Sequence, residues 1–137
     1  MEAALISVEE FNQMLDDEHR FARLLGIEIK EIGHGTSVLY LPAKPDYTRL
    51  GGVIAGPMLM ALADMALYAA AVGATGNPRV VTASLNINFV RGAPPGGIIA
   101  KANIIKTGRL ISGEVYLYPE SSDKVVAHAI STWALPR

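Results

Sequence analysis

The chain has 137 residues, which suits one domain, and half of them are hydrophobic while 18% are charged, which argues against disorder. A formal net charge of −1 excludes a global field that would recruit nucleic acid or an anionic membrane surface. The absence of cysteine excludes disulfides, thiolate metal sites and cysteine nucleophiles. Because the acidic N-terminal segment also lacks a secretory signal pattern, we expect a cytoplasmic protein.

The first predicted elements are a short helix and a hairpin. Ser7 and Glu10 have the spacing of a capping box, which predicts a helix over residues 8–17 or slightly beyond. Residues 27–32 (IEIKEI) alternate apolar and charged side chains and predict a half-buried strand. A Gly-His-Gly turn then leads into a returning strand over residues 36–41, and residues 42–55 are predicted to form an irregular loop.

Residues 56–72 (GPMLMALADMALYAAAV) predict one long helix with a single charge, Asp64, and a dense stop signal over residues 73–78. A helix that is apolar on nearly every side must be wrapped by other elements rather than docked on one face. Crossing a membrane would put Asp64 near the bilayer centre, between Gly- and Pro-rich flanks, so we predict no membrane contact.

After the helix the hydrophobic period changes to two. Simple alternation over residues 81–89 puts Val81, Ala83, Leu85, Ile87 and Phe89 on one face and Thr82, Ser84, Asn86 and Asn88 on the other. Three more strands are predicted over residues 98–105, 110–118 and 125–134. This order predicts an α+β fold in one domain (1–137, with an N-terminal helical segment over 1–24), a curved antiparallel sheet wrapped around one helix. Such a small sheet leaves edge strands, so we expect a second subunit to extend it.

Asp64 is the main candidate for chemistry. Burying an unpaired carboxylate is costly, so this residue must be paired, partly hydrated or functional. None of its helix neighbours at three or four residues can neutralise it: Met60, Ala61, Leu67 and Tyr68. A structural, hydrogen-bonded aspartate or a carboxylate facing a dimer crevice is the alternative.

The start of the same helix is a second candidate. Gly51, Gly52 and Gly56 let a ligand approach the backbone closely, and the first helical N–H groups stabilise an anion or a developing oxyanion. Asp64 lies about two turns deeper along the helix. The alternative is that these glycines only shape a loop.

Other chemistries have little support in the sequence. His19, His34 and His128 are far apart and show no metal spacing, and there is no nucleophile elbow or Walker loop, so we expect no metal or separate cofactor. Nothing brings Asp46 together with Asp64 as a carboxylate pair. Thr82 is either a polar helper or part of a solvated strand face. The turn Lys106-Thr107-Gly108-Arg109 is first a hairpin turn, with two cations suited to phosphates.

The segment GPMLMALAD, followed by VVTASLNINFVRGAPPGGIIAKANIIKTGRLISGEVYLY, resembles the hotdog-fold acyl-CoA thioesterases. The most similar group is the phenylacetic-acid-degradation type of the 4-hydroxybenzoyl-CoA thioesterase superfamily, and the resemblance covers about residue 25 to the C-terminus. It implies hydrolysis of an acyl-CoA by a dimer or a dimer of dimers, with the site between two subunits and coenzyme A as part of the substrate.

The resemblance also implies roles for individual residues. Asp64 falls on the catalytic acid, a general base or nucleophile, and Gly56 on the glycine whose N–H polarises the thioester carbonyl. Thr82 falls where a Ser or Thr orients the attacking water, and Gly52 on an earlier loop glycine. The regions that commonly meet the coenzyme A nucleotide correspond to Arg91, Lys106, Gly108 and Arg109, and the acyl chain would lie against Met58 and Met60.

This sequence departs from the family pattern at three positions. Ala55 occupies the usual His position, Pro57 the second glycine, and Arg49 the usual Asn. Arg49 either replaces the Asn as an electrophile or pairs with Asp64 and holds it ionised.

Three other functions stay open. A hotdog domain that binds acyl-CoA without turnover is favoured by Ala55 and Arg49. A hydratase would pair an Asp with a His five residues on, where this chain has Ala69. A structural dimer would leave Asp64 without a chemical role.

Overall fold

The N-terminal segment forms two helices in the computed structural model, which describes residues 3–136. Helix α1 spans Val8–Glu18, and the predicted capping box is confirmed because Ser7 and Glu10 exchange backbone-to-side-chain hydrogen bonds of 3.0 Å each. Helix α2, Arg20–Leu24, was not predicted as a separate helix, since it has only five residues and its N-cap, His19, makes no side-chain cap hydrogen bond. The two helices therefore meet at His19.

The main sheet has six antiparallel strands in the order β1-β2-β6-β7-β8-β5. Their bounds are β1 Glu28–Ile32, β2 Thr36–Leu41, β5 Val81–Phe89, β6 Ile98–Lys106, β7 Leu110–Pro119 and β8 Ala127–Ala134. Each matches a predicted strand within two residues at either end. Strand β5 lies at one edge of the sheet, so only one of its two sides is paired within the chain.

Helix α3, Gly56–Thr75, is the core of the molecule, with twelve buried residues packed against the sheet. It is long and apolar enough to cross a membrane by length and composition, yet 67% of its most apolar window is buried inside the fold. The helix continues three residues beyond the predicted end at Val72, because Gly76 (φ 69°) supplies the left-handed conformation that ends it. The predicted α+β architecture, with an antiparallel sheet around one apolar helix, is confirmed.

The connection from β2 to α3 is more regular than predicted. The expected irregular loop over residues 42–55 contains a 3-10 turn, Pro45–Tyr47, and a small hairpin of β3 (Thr48–Arg49) and β4 (Val53–Ile54). Gly51 (φ 100°) and Gly52 (φ 73°) form its turn, which most other residues would adopt only with strain. The hairpin brings Arg49 close to the start of α3.

Candidate active site

Asp64 and Thr82 form the first pair of the candidate site. Asp64 is half-buried on α3, and the Thr82 hydroxyl on β5 donates a hydrogen bond of 2.9 Å to Asp64 Oδ1. Within residues 3–136 the carboxylate makes no ion pair. Asp64 is thus a carboxylate on an apolar helix, and the Thr82 hydroxyl is its one side-chain hydrogen-bond partner within these residues.

Thr82 reaches Asp64 because β5 contains a bulge. The pairing with β8 shifts between Thr82 and Ser84, so that Thr82 lies opposite Trp133 and Leu85 lies opposite Ser131. Trp133 and Ser131 are both buried, two residues apart on the inner face of β8. Thr82 and Leu85 therefore share the inner face, and the predicted assignment of these two residues to opposite faces was wrong. An extra residue in one strand moves the side chains that precede it to the opposite face of the sheet.

The surroundings of Asp64 favour the protonated form of its carboxyl group. Burial raises the pKa of Asp64 above its ordinary value, while the Thr82 hydroxyl and the charge of His19 lower it to a smaller extent. A raised pKa suits a carboxylate that acts as a general base near neutral pH.

Asp64 lines a cavity of about 450 Å³, called here the Asp64 cavity. Its other walls include His19, Tyr68, Arg79 and Thr82. His19 was not predicted as a site residue, because it lies 45 positions before Asp64 and no local pattern links the two. Its nearness to Asp64 depends on how the N-terminal helices pack on α3.

The start of α3 opens into a second cavity of about 770 Å³, called here the Gly56 cavity. Gly56 is the first residue of the helix, so its N–H has no acceptor within the helix. Arg49, Ala55 and Arg91 line this cavity with it, and Phe89 packs 3.5 Å from the position a Gly56 Cβ would take. Arg91 also donates a hydrogen bond of 2.6 Å to the Val125 carbonyl.

The remaining predicted residues lie outside both cavities. Gly52 is in the exposed β3–β4 turn, Met58 is half-buried against the core, and Met60 is 41% exposed on α3. The exposed turn with Lys106, Gly108 and Arg109 joins β6 to β7. Among residues 3–136 there is no cluster of three or more potential metal ligands.

Within one chain, the two halves of the predicted site stay apart. Gly56 and Arg49 line one cavity, and Asp64 and Thr82 line the other. Arg49 makes no ion pair with Asp64 within the described chain. Any reaction that needs both the Gly56 N–H and the Asp64 carboxylate therefore needs more than one chain.

Comparisons with known proteins agree with this architecture. The family model described as "Thioesterase superfamily" matches residues 51–112. "Putative esterase SSO1253" of Saccharolobus solfataricus is 30% identical over 97% of this chain and 88% of its own length. Zebrafish thioesterase superfamily member 2 is 26% identical, covering 96% of this chain and 99% of its own, with a TM-score of 0.84. The Escherichia coli PaaI protein from the phenylacetic acid degradation operon shares the fold at 20% identity and a TM-score of 0.84, over 94% of this chain and 92% of its own.

Proposed function

Because this chain belongs to the thioesterase superfamily, a group of hotdog-fold hydrolases, we propose that it hydrolyses an acyl-CoA thioester to a free acid and coenzyme A. The observation that carries this proposal is the Asp64–Thr82 pair, a half-buried carboxylate with a raised pKa and a hydroxyl at 2.9 Å. A carboxylate in such surroundings is able to take a proton from water, and the hydroxyl orients that water.

The proposed chemistry is a hydrolysis at the thioester carbonyl carbon. Asp64 takes a proton from water as the water oxygen bonds to that carbon, and the Gly56 N–H stabilises the negative charge that develops on the carbonyl oxygen. The carbon–sulfur bond then breaks, and the proton passes to the coenzyme A thiolate. In the second version of the reaction Asp64 attacks the carbon directly, and the carbon–sulfur bond breaks to release the coenzyme A thiolate and leave a mixed anhydride. Water then hydrolyses the anhydride to the free acid and the Asp64 carboxylate, and the proton it gives up neutralises the thiolate.

A complete site requires a second copy of the chain, and β5 provides the edge for it. Strand β5 begins at the Asp64 cavity, with Val81 and Thr82, and ends at the Gly56 cavity, with Phe89. Two β5 edges paired antiparallel about a two-fold axis bring the start of one strand to the end of the other. Each Asp64 would then meet the Gly56 N–H of the second copy. Exposed apolar side chains on this strand, Val81 (56%) and Phe89 (49%), favour such an interface.

The substrate would lie along this interface. We assign the coenzyme A phosphates to the cations Arg91, Lys106 and Arg109, with Gly52 and Gly108 allowing close approach of the backbone. The acyl group would lie against Met58 and neighbouring apolar side chains, and Arg49 beside Gly56 would act on the carbonyl in place of the family's Asn.

Acyl-CoA binding without turnover is the second candidate function. Ala55, which lines the Gly56 cavity where the family has a His, supplies no side-chain hydrogen bond to the start of α3. A site with one donor fewer binds a thioester but stabilises its transition state less well.

Thiol release distinguishes these functions. We would incubate the protein with short, medium and aromatic acyl-CoAs and measure free thiol for the wild type, Asp64→Asn, Thr82→Val and, as a matched control, Asp46→Asn. Asp46 is an exposed carboxylate in the 3-10 turn before β3. We expect Asp64→Asn to lose roughly 10²–10⁴-fold in kcat/KM and Thr82→Val roughly tenfold, with Asp46→Asn unchanged.

Each other outcome has a definite meaning. Turnover that survives in Asp64→Asn would exclude Asp64 as the base or nucleophile. Binding of acyl-CoA by the wild type, without turnover of any substrate, would establish the binding function instead. No binding at all would leave a structural dimer.

A further inference from the structure

The N-terminal helical segment reaches the Asp64 cavity through His19. This residue ends α1 and precedes α2, with backbone angles of φ −136° and ψ 62°. Its ring lies 5.6 Å from the ring of Tyr68 on α3, at an interplanar angle of 34°. Tyr68 is held in turn by Phe11 and Trp133, at 5.7 Å each, and by a hydrogen bond of 2.6 Å to the Pro78 carbonyl. The His19 imidazole therefore packs against the Tyr68 ring, which is itself held in place by its neighbours.

One nitrogen of this imidazole is buried without a partner. His19 Nδ1 is the single buried side-chain nitrogen or oxygen in residues 3–136 that has no hydrogen bond. Leaving such an atom unsatisfied costs about 1–3 kcal/mol, and folded proteins rarely do so without a reason. A purely structural side chain at this place would be better served by an apolar ring.

Among the charged and titratable groups around the Asp64 carboxylate, His19 is its electrostatic partner. Arg79 also lines the cavity, but its side chain is exposed to solvent, which screens its charge. The Tyr68 hydroxyl is engaged with Pro78, and Thr82 is neutral. Among residues 3–136, His19 is the group whose charge lowers the pKa of Asp64 against the effect of burial.

We propose that His19 is a positioning residue for Asp64, a cation in the wall of the same cavity that keeps the carboxylate ionised as the pH falls. This inference rests on the proposed hydrolysis. It gives the Asp64 cavity an imidazole from the N-terminal segment, whereas position 55 has none. Histidine is suited to this role because its charge changes between pH 5 and 8, so that it becomes a cation as the pH falls.

The kinetic test uses two variants of His19. His19→Asn removes the ring, and His19→Phe keeps a ring against Tyr68 but removes both nitrogens. The control is His34→Asn, because His34 lies in the β1–β2 turn outside both cavities. We would measure kcat/KM for acyl-CoA hydrolysis from pH 5 to 9, with the melting temperature of each variant.

We expect both His19 variants to lose roughly three- to tenfold in kcat/KM at pH 5.5 and to stay within about twofold of the wild type at pH 8. The acidic limb of the profile moves to higher pH, because Asp64 without the imidazolium takes up its proton sooner. A loss of the same size at every pH, or an acidic limb that does not move, would overturn the proposal. A structural role predicts that uniform loss together with a lower melting temperature.

A second measurement does not depend on activity. The Asp64 carboxyl carbon can be titrated by 13C NMR in the full chain labelled at aspartate, with its signal assigned by its absence in Asp64→Asn. We expect the Asp64 pKa to be higher in His19→Asn and His19→Phe than in the wild type, and unchanged in His34→Asn. An unchanged titration would refute the role of His19 even in an active enzyme. A raised pKa in a protein without thioesterase activity would support His19 and refute the proposed hydrolysis.

Discussion

At the scale of single residues, the catalytic role proposed for Asp64 comes with a cost to the fold. The sequence makes it conspicuous because it is the one charge between Arg49 and Arg79. His19 has no such signal, since nothing in its local sequence distinguishes it from His34 or His128. Its relation to Asp64 is created by the packing of Tyr68 between the N-terminal helices and β8. A carboxylate isolated in an apolar run can thus be found from sequence, whereas its distant electrostatic partner cannot.

Replacing Asp64 should make the protein more stable at neutral pH. The folded pKa of Asp64 is raised, so its contribution to stability is complete below the unfolded pKa and is lost as the pH rises through the folded value. Asp64→Asn removes the ionisable group and with it that loss of stability. Its side-chain amide oxygen still accepts the hydrogen bond from the Thr82 hydroxyl. We expect its free energy of unfolding to exceed that of the wild type by up to about 1 kcal/mol at pH 7, since water screens part of the penalty.

The difference should shrink as the pH falls, because the carboxyl group of the wild type becomes increasingly protonated in the folded state. Urea unfolding at pH 4, 5, 6 and 7 measures the trend, with Asp46→Asn as the exposed control. An Asp64→Asn protein that is no more stable than the wild type at pH 7 would mean that the carboxylate is better solvated than its position on α3 indicates.

At the scale of elements, α3 and β5 determine the geometry of the site through close contacts. The α3 sequence predicts a buried helix, and its packing leaves no space beside Gly73. A Cβ on Gly73 would overlap the Gly33 carbonyl oxygen and lie 2.8 Å from Ile32 Cγ2, so the helix meets the β1–β2 turn with no room for a side chain. On the other flank, the bulge in β5 decides that Thr82 faces α3. Both details depend on contacts between elements, which the hydrophobic pattern of a single element does not contain.

Gly73→Ala tests this contact because helix propensity and packing predict opposite signs. In an open helix the change would stabilise the protein by about 0.8–1 kcal/mol. Against the β1–β2 turn we expect a net loss of about 1–3 kcal/mol from overpacking. Urea unfolding measures it, with Ala74→Gly calibrating the helix propensity at this end of α3. A stabilised Gly73→Ala protein would show that α3 and the turn have room to separate.

At the scale of the whole molecule, a single chain keeps the two halves of the proposed site apart. The Gly56 N–H and the Asp64 carboxylate open into separate cavities at opposite ends of β5. We propose that a second copy binds at the open edge of β5, which carries exposed apolar side chains. Activity is therefore expected to depend on self-association.

Asn86→Lys tests this dependence. Asn86 is exposed near the middle of β5, so pairing about a two-fold axis would bring two lysines close together. We expect the variant to shift toward monomer in analytical ultracentrifugation and to lose thioesterase activity in proportion. The matched control is Asn103→Lys, an exposed asparagine on the interior strand β6. An Asn86→Lys protein that keeps the assembly of the wild type would exclude β5 as the shared edge.

The sequence by itself determined the elements and their order, because local patterns carry that information. The capping box at Ser7, the alternation in six strands and the apolar run of α3 each depend on residues a few positions apart. Together they predicted the α+β fold and singled out Asp64 and Gly56 as candidates. The hairpin within residues 48–54 and the short α2 were missed, since two-strand and five-residue elements carry too little pattern to be recognised.

Only the tertiary structure decided how those elements meet. It brought Thr82 to Asp64 through a bulge, put His19 in the wall of the Asp64 cavity, and kept Gly56 and Arg49 in a cavity of their own. The physical reason is distance along the chain: Thr82 lies 18 positions from Asp64, and His19 lies 45 positions from it. Gly56 and Asp64, by contrast, are close in sequence and yet line different cavities. Side-chain packing and strand register set such distances, and both are properties of the folded chain as a whole.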